Sequence, residues 1–215
     1  VTTNALGLFI EGTLEMSSEF RVTAGARYNY EKREGKGDFT FSAFDTFVNT
    51  DQTESWNAIT PKVLVEYDVS DDTMIYAGIT RGFKSGVINI GSVNPVIEPE
   101  FIWSYETGFK MHDKESGLAL NGSAFYYDYS DLQVGFVNAA SLVETINAAS
   151  AKIWGLELDA AFDVTDQFSI RAFATYLNTE FTDFCNGYYA NGDPFRRQFP
   201  TCPSDPTISD LSGNQ

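Results

Sequence analysis

The sequence predicts an all-β chain that forms about eight strands of an antiparallel transmembrane β-barrel. Three observations carry this prediction. Apolar and polar residues alternate with period two along most of the chain, short and long connections alternate between the resulting segments, and aromatic residues gather near both ends of the apolar faces. Alternation alone does not separate a membrane barrel from a soluble protein, because a soluble antiparallel sheet can also have one apolar and one wet face.

Composition alone would suggest a different class of protein. The 215 residues are 43% hydrophobic and 15% aromatic, which is too apolar for a disordered chain. The formal net charge of −16 argues against a nucleic-acid partner, which would require a basic surface. The mean hydropathy is −0.21, and no apolar run approaches the roughly 18 residues of a transmembrane helix. These values describe a soluble acidic globule, and the residue pattern argues against that description.

Seven segments show the alternation. They are residues 6–17, 20–31, 60–69, 103–112, 118–126, 153–163 and 168–176. Their apolar faces carry no Asp, Glu, Lys or Arg, and a register shift of one residue would reverse every face. We predict that the opposite faces line a polar lumen. The charged residues predicted to face that lumen are Glu11, Arg27, Lys62, Glu66, Glu106, Lys110, Glu157, Asp159 and Arg171. Residues 74–83 are also strand-like, but the sequence leaves their two faces ambiguous.

The connections between these segments alternate in length. Short ones cover 17–19, 70–73, 112–117 and 165–167, whereas long ones cover 32–55, 84–100, 131–150 and 179–215. Long structureless loops are uncommon in compact domains. Short turns at one end, long loops at the other and strands of roughly 10–12 residues are typical of an outer-membrane barrel, whose tilted strands cross in roughly 9–11 residues.

Aromatic residues lie near both ends of the apolar faces, with aliphatic residues between them. Near the short turns these include Phe20, Tyr67 and Phe109, and near the long connections Tyr28, Trp103 and Trp154. Two aromatic belts around an aliphatic band fit two membrane–water interfaces. A soluble β-sandwich core would not sort aromatic residues to both strand ends.

Several short motifs, taken in order, resemble TonB-dependent outer-membrane receptors. They are Gly25-Ala26-Arg27-Tyr28, Arg81-Gly82-Phe83-Lys84-Ser85-Gly86, Pro99-Glu100 followed by Trp103 to Lys110, Phe125 to Tyr129, and Gly155-Leu156-Glu157-Leu158. The resemblance spans essentially the whole chain and corresponds to the later part of the family's barrel. We therefore expect residues 1–215 to be a partial barrel domain, without the plug domain and TonB box.

The resemblance also implies a function. It implies a 22-stranded barrel in a bacterial outer membrane, with its long loops outside the cell, and energised uptake driven by the TonB–ExbB–ExbD complex acting through the plug. The expected partners are outer-membrane lipid and a small-molecule ligand, with a ferric siderophore as the implied cargo. Cobalamin, oligosaccharide or aromatic-compound uptake stays open. No cofactor and no resident metal are expected.

Three groups of residues are candidate sites. Cys185 and Cys202 enclose 16 residues and are predicted to form a disulfide at the oxidising cell surface, with two free thiols as the alternative. Arg81 and Lys84 are expected to pair with lumen carboxylates, with a role in substrate specificity as the alternative. Exposed aromatic and arginine side chains in two long loops can stack on and pair with a planar or anionic ligand. These ligand-contact candidates are Phe39, Phe41, Phe44, Phe47, Tyr188, Tyr189, Arg196 and Arg197; the alternative is that they pack the loops together or extend a hairpin.

Two other classes of protein remain open from the residues alone. One is a surface-exposed β-sandwich binding module or adhesin, and the other is a passive porin. An enzyme is not expected, because no Ser/His/Asp constellation is visible. A zinc site is not expected either, because Cys185, Cys202 and His112 supply too few ligands.

Overall fold

Eight long antiparallel strands and three strands of two residues make up the fold. The computed structural model describes residues 1–41, 46–92, 95–137, 143–165, 167–186, 209–210 and 213. The strands are β1 (Thr2–Glu15), β2 (Phe20–Phe41), β3 (Thr46–Ser70), β4 (Thr73–Lys84), β5 (Val87–Ile88), β6 (Val96–Ile97), β7 (Glu100–Asp113), β8 (Leu118–Val137), β9 (Val143–Thr165), β10 (Phe168–Asn186) and β11 (Ser209–Asp210). Among the described residues there is no helix long and apolar enough to span a membrane.

The eight long strands and β11 form one sheet of nine strands in the order β1-β2-β3-β4-β7-β8-β9-β10-β11, and β5 pairs with β6 separately. Every neighbouring pair is antiparallel. Within the described part of the chain, β1 and β11 end the sheet and do not pair with each other, so these strands form an open wall. The prediction of an all-β antiparallel fold is confirmed.

Several strands are longer than the predicted 10–12 residues. The pairing of β2 with β3 continues to Phe41 and Thr46, so most of the predicted loop 32–55 is a long hairpin. Similarly, β8 and β9 pair up to Val137 and Val143. At the end of the chain, β10 runs to Asn186 and β11 pairs with it, so the predicted connection 179–215 is strand at its base. The period-two alternation predicts only the part of each long strand in which one face is apolar and the other is polar.

The register decides the faces that the sequence left ambiguous. Ile79 of β4 pairs with Val63 and Tyr105, which belong to predicted apolar faces, and Thr80 pairs with Lys62 on the charged side. Large apolar side chains are exposed on the apolar face, including Ile59 at 59% and Leu156 at 51%. An exposed apolar face this broad is unusual for a soluble monomer and is what a lipid-facing wall requires.

Aromatic pairs on the apolar face lie where the sequence predicts the belt near the long connections. The rings of Tyr105 and Tyr126 are 6.1 Å apart, and those of Trp154 and Tyr176 are 5.3 Å apart. Near the short turns, Phe20 pairs directly with Tyr67 across β2 and β3. The two aromatic groups therefore lie at opposite ends of the wall.

Candidate functional site

The charged face of the sheet, which we call the polar face, gathers all nine residues that the sequence predicts to face a lumen. Successive pairings show this directly. Glu11 pairs with Gly25, which pairs with Lys62. Further along the sheet, Ser123 pairs with Glu157, and Asn121 pairs with both Lys110 and Asp159. Side chains of directly paired residues lie on the same face, so the nine predicted positions share one surface.

Ion pairs on the polar face connect neighbouring and more distant strands. Lys62 Nζ lies 3.1 Å from Glu11 Oε2 and links β3 with β1. Nearer the short turns, the Arg21 guanidinium holds Asp68 with two hydrogen bonds, one of them 2.9 Å from Nη2 to Oδ1. The Lys62–Glu11 pair is exposed and contributes little to stability, so its main effect is to organise charge on this surface.

A tyrosine and a carboxylate form the centre of the polar face. Tyr76 donates a hydrogen bond of 2.6 Å from its hydroxyl to Glu106 Oε1. The ring of Tyr76 lies over Gly108, where a Cβ atom would come within 2.8 Å of it. Lys110 Nζ lies 5.7 Å from the centre of the same ring. The glycine on β7 thus allows an aromatic side chain from β4 to lie flat along the wall.

The connection between β4 and β7 folds onto the polar face instead of standing away from the sheet. We call residues 85–92 and 95–99 the interior strap. Ile88 and Ile90 lie against Gly35 and Gly37 of β2, where an added Cβ would come within 2.6 Å of each isoleucine side chain. Gly91 donates from its amide to Thr50 Oγ1 at 3.0 Å. Trp56 donates from Nε1 to Glu98 Oε2 at 3.2 Å.

The interior strap also forms hydrogen bonds with strands β8 and β9, which lie further along the same polar face. Gln133 Nε2 on β8 donates to the carbonyl oxygens of Ser85 and Glu98 at 2.9 and 3.0 Å. Asn147 on β9 exchanges two hydrogen bonds with the backbone of Glu98, at 2.8 and 2.9 Å. Asn89 donates to the carbonyl oxygen of Thr145 at 2.8 Å. Because the strap contacts β2 and β3 on one side and β8 and β9 on the other, the sheet curves around it and the polar face is its inner side.

Three of the six buried apolar residues of the described chain, Ile88, Ile97 and Trp56, belong to the interior strap or hydrogen-bond to it. The other three are Ala58, Ala149 and Ala151, and each of the six is no more than 8% exposed. Thr50, Ser85 and Ser92 are buried with them. Sequence reasoning missed this site because it assigned 84–100 to an external loop. The closely spaced Gly35 and Gly37, opposite a short apolar segment, are the signal that could have indicated it.

The predicted pairing of Arg81 and Lys84 is correct for only one of the two residues. Lys84 Nζ lies 3.3 Å from Glu100 Oε2, in line with the prediction. Arg81 is paired with Trp103 and lies on the apolar face, where its guanidinium carbon is 4.3 Å from the centre of the Phe101 ring. The prediction for Arg81 is wrong because β4 carries it on the same side as Ile79, and a stacked aromatic ring takes the place of a carboxylate.

The ligand-contact candidates fall in different places. Phe39 follows Gly35 and Gly37 on the polar face and lies near Gly91 of the interior strap. Phe47 is 63% exposed and pairs with Thr40, which places it on the opposite face. Phe41 belongs to β2, but its side chain and all of Phe44 lie outside the described residues. The same holds for Tyr188, Tyr189, Arg196, Arg197 and Cys202, and for the side chain of Cys185.

The chemistry of the polar face is that of a binding surface. In the part of the chain that the structure describes, no group of three or more His, Cys, Asp or Glu side chains is arranged to hold a metal ion. The face instead offers spaced carboxylates, the guanidinium groups of Arg21, Arg27, Arg33 and Arg171, and aromatic rings beside glycine. Such a surface can hold water and contact a passing solute or a second domain.

Comparison with known proteins places this wall in a family. The family described as "TonB dependent receptor-like, beta-barrel" matches residues 1–214. The pesticin receptor of Yersinia enterocolitica is 23% identical over 202 residues, which cover 90% of this chain and 29% of that protein. The chain therefore spans less than a third of the length of such relatives.

Two solved structures share the fold. The ferric yersiniabactin uptake receptor FyuA from Yersinia pestis aligns with a TM-score of 0.74 at 18% identity, over 84% of this chain and 27% of that one. The siderophore receptor PiuA from Acinetobacter baumannii aligns with a TM-score of 0.73 at 19% identity, over 99% of this chain and 29% of that one. The long strands and their order are those of a receptor barrel wall, and the chain belongs to the TonB-dependent receptor β-barrel family of transport proteins.

Proposed function

We propose that this chain forms part of the wall and of the long loops of an outer-membrane receptor that imports a ferric siderophore with energy delivered by TonB, ExbB and ExbD. The observation that carries the proposal is the division of one antiparallel wall into an exposed apolar face and an inner polar face, within a chain that the receptor family matches almost completely. In the complete receptor, the polar face lines the lumen and faces the plug domain.

The siderophore cargo is supported by the relatives. A receptor for ferric yersiniabactin and a siderophore receptor share this fold. A ferric siderophore is large and often carries aromatic or anionic groups, for which aromatic and arginine side chains at the loops supply stacking and charge-assisted hydrogen bonds. In this proposal the predicted ligand-contact residues contribute to capture of the ligand; they are Phe39, Phe41, Phe44, Phe47, Tyr188, Tyr189, Arg196 and Arg197.

Uptake of radioactive iron by cells tests the cargo. Cells with the full-length receptor gene, the deleted gene and a tonB deletion would be given iron-55 as ferric yersiniabactin or ferric citrate. We expect uptake of a siderophore-bound form that depends on both genes. Uptake that depends on the receptor gene but not on tonB would indicate a passive porin. No difference between the three strains, with surface binding retained, would indicate an adhesin or binding module.

The proposed orientation places the long hairpins outside the cell. Asp51 lies in the extended β2–β3 hairpin, and Asp71 lies in the short turn between β3 and β4; both are exposed. Cysteine variants at these two positions in the full-length receptor would be treated with a membrane-impermeant maleimide on intact cells. We expect labelling of Asp51→Cys and protection of Asp71→Cys until the cells are opened. The reverse labelling pattern would show that the short turns, and not the long hairpins, lie outside the cell.

A disulfide between Cys185 and Cys202 remains part of the proposal. Cys185 pairs through its backbone with Asp210, so the chain before and after the segment 187–208 lies side by side at Cys185. Closing a loop of this size stabilises by about 3 kcal/mol in the chain-entropy model. Alkylation with a thiol mass tag should modify the purified receptor only after reduction. Modification without reductant would show two free thiols.

A further inference from the structure

We infer that the interior strap is a fixed part of the wall that permanently narrows the passage, and that it does not swing open when cargo moves through. The inference goes beyond the proposed uptake. It is tested by a disulfide yield and by an uptake measurement, and only the uptake measurement rests on the proposed function. Segments that act as gates are drawn from the weakly held parts of a protein. The interior strap is instead firmly held, by buried apolar side chains and by hydrogen bonds to several strands.

The first argument is the burial beneath the interior strap. Ile97 is 3% exposed, Ile88 is 5% exposed, and Trp56 under them is 7% exposed. Elsewhere in the described chain, large apolar side chains mainly face outward, so this cluster is where the polar face has a packed apolar interior. Lifting the strap would expose all three side chains to the water of the lumen, which is unfavourable in proportion to the apolar area uncovered.

The second argument is that the hydrogen bonds hold both sides at once. Asn147 and Gln133 bind the strap to β9 and β8, while Thr50 and Trp56 bind it to β3. A hinge opens by releasing one side and pivoting on the other. Release from β3 would leave the hydroxyl of Thr50, a residue that is 1% exposed, without the Gly91 amide as its donor, and release from β8 and β9 would break four hydrogen bonds to the backbone of Ser85 and Glu98.

The third argument is the fit of the strap to β2. Gly35 and Gly37 leave room for Ile88 and Ile90, because any side chain at either glycine would occupy the isoleucine positions. Two glycines on one strand weaken that strand. Packing of Ile88 and Ile90 against the glycines offsets this loss of stability only if the strap stays in contact with β2. We therefore expect cargo to pass on the far side of the strap, between it and the remainder of the barrel.

A disulfide tether between the strap and β2 tests this inference. A Cβ atom built at Gly35 lies 3.3 Å from Ile88 Cβ, and one built at Gly37 lies 4.0 Å from Ile90 Cβ. Both separations are close to the usual Cβ–Cβ distance of about 3.8 Å in disulfides. The double variants Gly35→Cys with Ile88→Cys, and Gly37→Cys with Ile90→Cys, would be made in the full-length receptor. The second pair guards against a folding failure of the first.

The tether is measured in two ways. Peptide mapping and thiol alkylation report how much of the new disulfide forms in the outer membrane. Uptake of iron-55 as ferric yersiniabactin or ferric citrate, with and without reductant, reports whether a tethered strap still permits transport. We expect nearly complete tethering without added oxidant, and uptake within twofold of the natural receptor in both conditions. The single variants Ile88→Cys and Ile90→Cys, which leave both glycines in place, are the controls.

Two results would overturn the inference. Free thiols in a folded double variant would show that the strap does not rest on β2. A loss of uptake of more than tenfold that reductant restores would show that the strap is a moving gate. If the natural receptor imports neither iron form, the proposed cargo fails, and the yield of the tether alone then decides whether the strap is held on β2.

Discussion

Lys62 on β3 reaches across Gly25 on β2 to bind Glu11 on β1, with 3.1 Å between Nζ and Oε2. The glycine makes this contact over an intervening strand possible. A Cβ atom at Gly25 would lie 3.2 Å from Glu11 Cβ and 3.0 Å from the carbonyl oxygen of Ile10. The polar face therefore uses glycine to let long charged side chains lie flat along the wall.

This arrangement predicts that the glycine contributes more to stability than the ion pair does. Gly25→Leu should lower the free energy of unfolding of the full-length receptor by about 1–3 kcal/mol, because the new side chain overpacks the site. Lys62→Met should lower it by less than about 1 kcal/mol, because both charges are exposed. Denaturant unfolding in detergent measures both. Gly12→Leu is the control, since nothing lies within 4 Å of a Cβ at that position, and a larger effect of Lys62→Met would contradict the account.

Two positions on β4 should respond oppositely to arginine. Ala77 lies on the apolar face between the two aromatic belts, where it pairs with Val65 and Thr107, and Thr80 lies on the polar face. Ala77→Arg should impair assembly, because an arginine facing lipid costs about 2–4 kcal/mol near the midplane, whereas Thr80→Arg should assemble normally. The folded fraction in isolated outer membranes, seen as heat-modifiable mobility of the full-length receptor, measures the difference. Equal assembly of the two variants would argue against a lipid-facing surface at Ala77.

The turn between β1 and β2 holds a carboxylate whose protonation depends on two serines. Ser18 donates to Glu19 at 2.7 Å and Ser17 donates at 3.0 Å, and these hydrogen bonds hold the pKa of Glu19 below its ordinary value. The contribution of the carboxylate to stability is therefore present above the unfolded-state pKa and is lost as the pH falls through the folded-state pKa.

Removing the first serine should shift this titration. Ser18→Ala should raise the midpoint for Glu19, followed by the carboxyl carbon-13 resonance of the labelled receptor. Ser17→Ala should raise it less, because the Ser17 hydrogen bond is the smaller cause. An unchanged midpoint in Ser18→Ala would refute the role of that hydroxyl.

The bulge on β8 carries an aspartate in a left-handed conformation. Asp131 has a φ of 55°, and its carbonyl oxygen accepts a hydrogen bond of 2.8 Å from Asn147, which also holds the interior strap. Aspartate tolerates this conformation, whereas a β-branched residue does not.

The effect of a substitution at Asp131 on stability should therefore depend on whether the new residue tolerates a positive φ. Asp131→Gly should change the free energy of unfolding by less than about 1 kcal/mol, and Asp131→Val should lower it by about 1–2 kcal/mol. Asp128→Val, in regular strand nearby, serves as the control. Unfolding of the full-length variants by denaturant gives the three values. Equal stability of the glycine and valine variants at 131 would show that φ is not strained there.

Alternation predicts a strand well where one face is apolar and the other is charged. It found β1, β2 and β9 across the band between the aromatic belts, and every charged residue that it assigned to the lumen lies on one face. It ended β2 too early because residues such as Lys32, Arg33 and Lys36 follow one another beyond the band, where both faces are polar and the pattern disappears.

The features that the sequence did not predict depend on contacts between distant residues. Arg81 on an otherwise apolar side of β4 obscured the faces of that strand, and only its pairing with β3 and β7 assigns them. The interior strap joins Ile88 to Gly35 and Asn147 to Glu98 over more than 45 residues. Local periodicity carries no information about such contacts.

The central claim, that the polar face lines a lumen and the apolar face meets lipid, is tested most directly by a spin-label scan of residues 75–80 on β4. Each position would carry a single label in the full-length receptor in lipid bilayers, and collision with oxygen would be compared with collision with a water-soluble nickel chelate. We predict a period of two, with oxygen favoured at positions 75, 77 and 79 and the chelate favoured at 76, 78 and 80. A flat profile or the inverse profile would contradict the account.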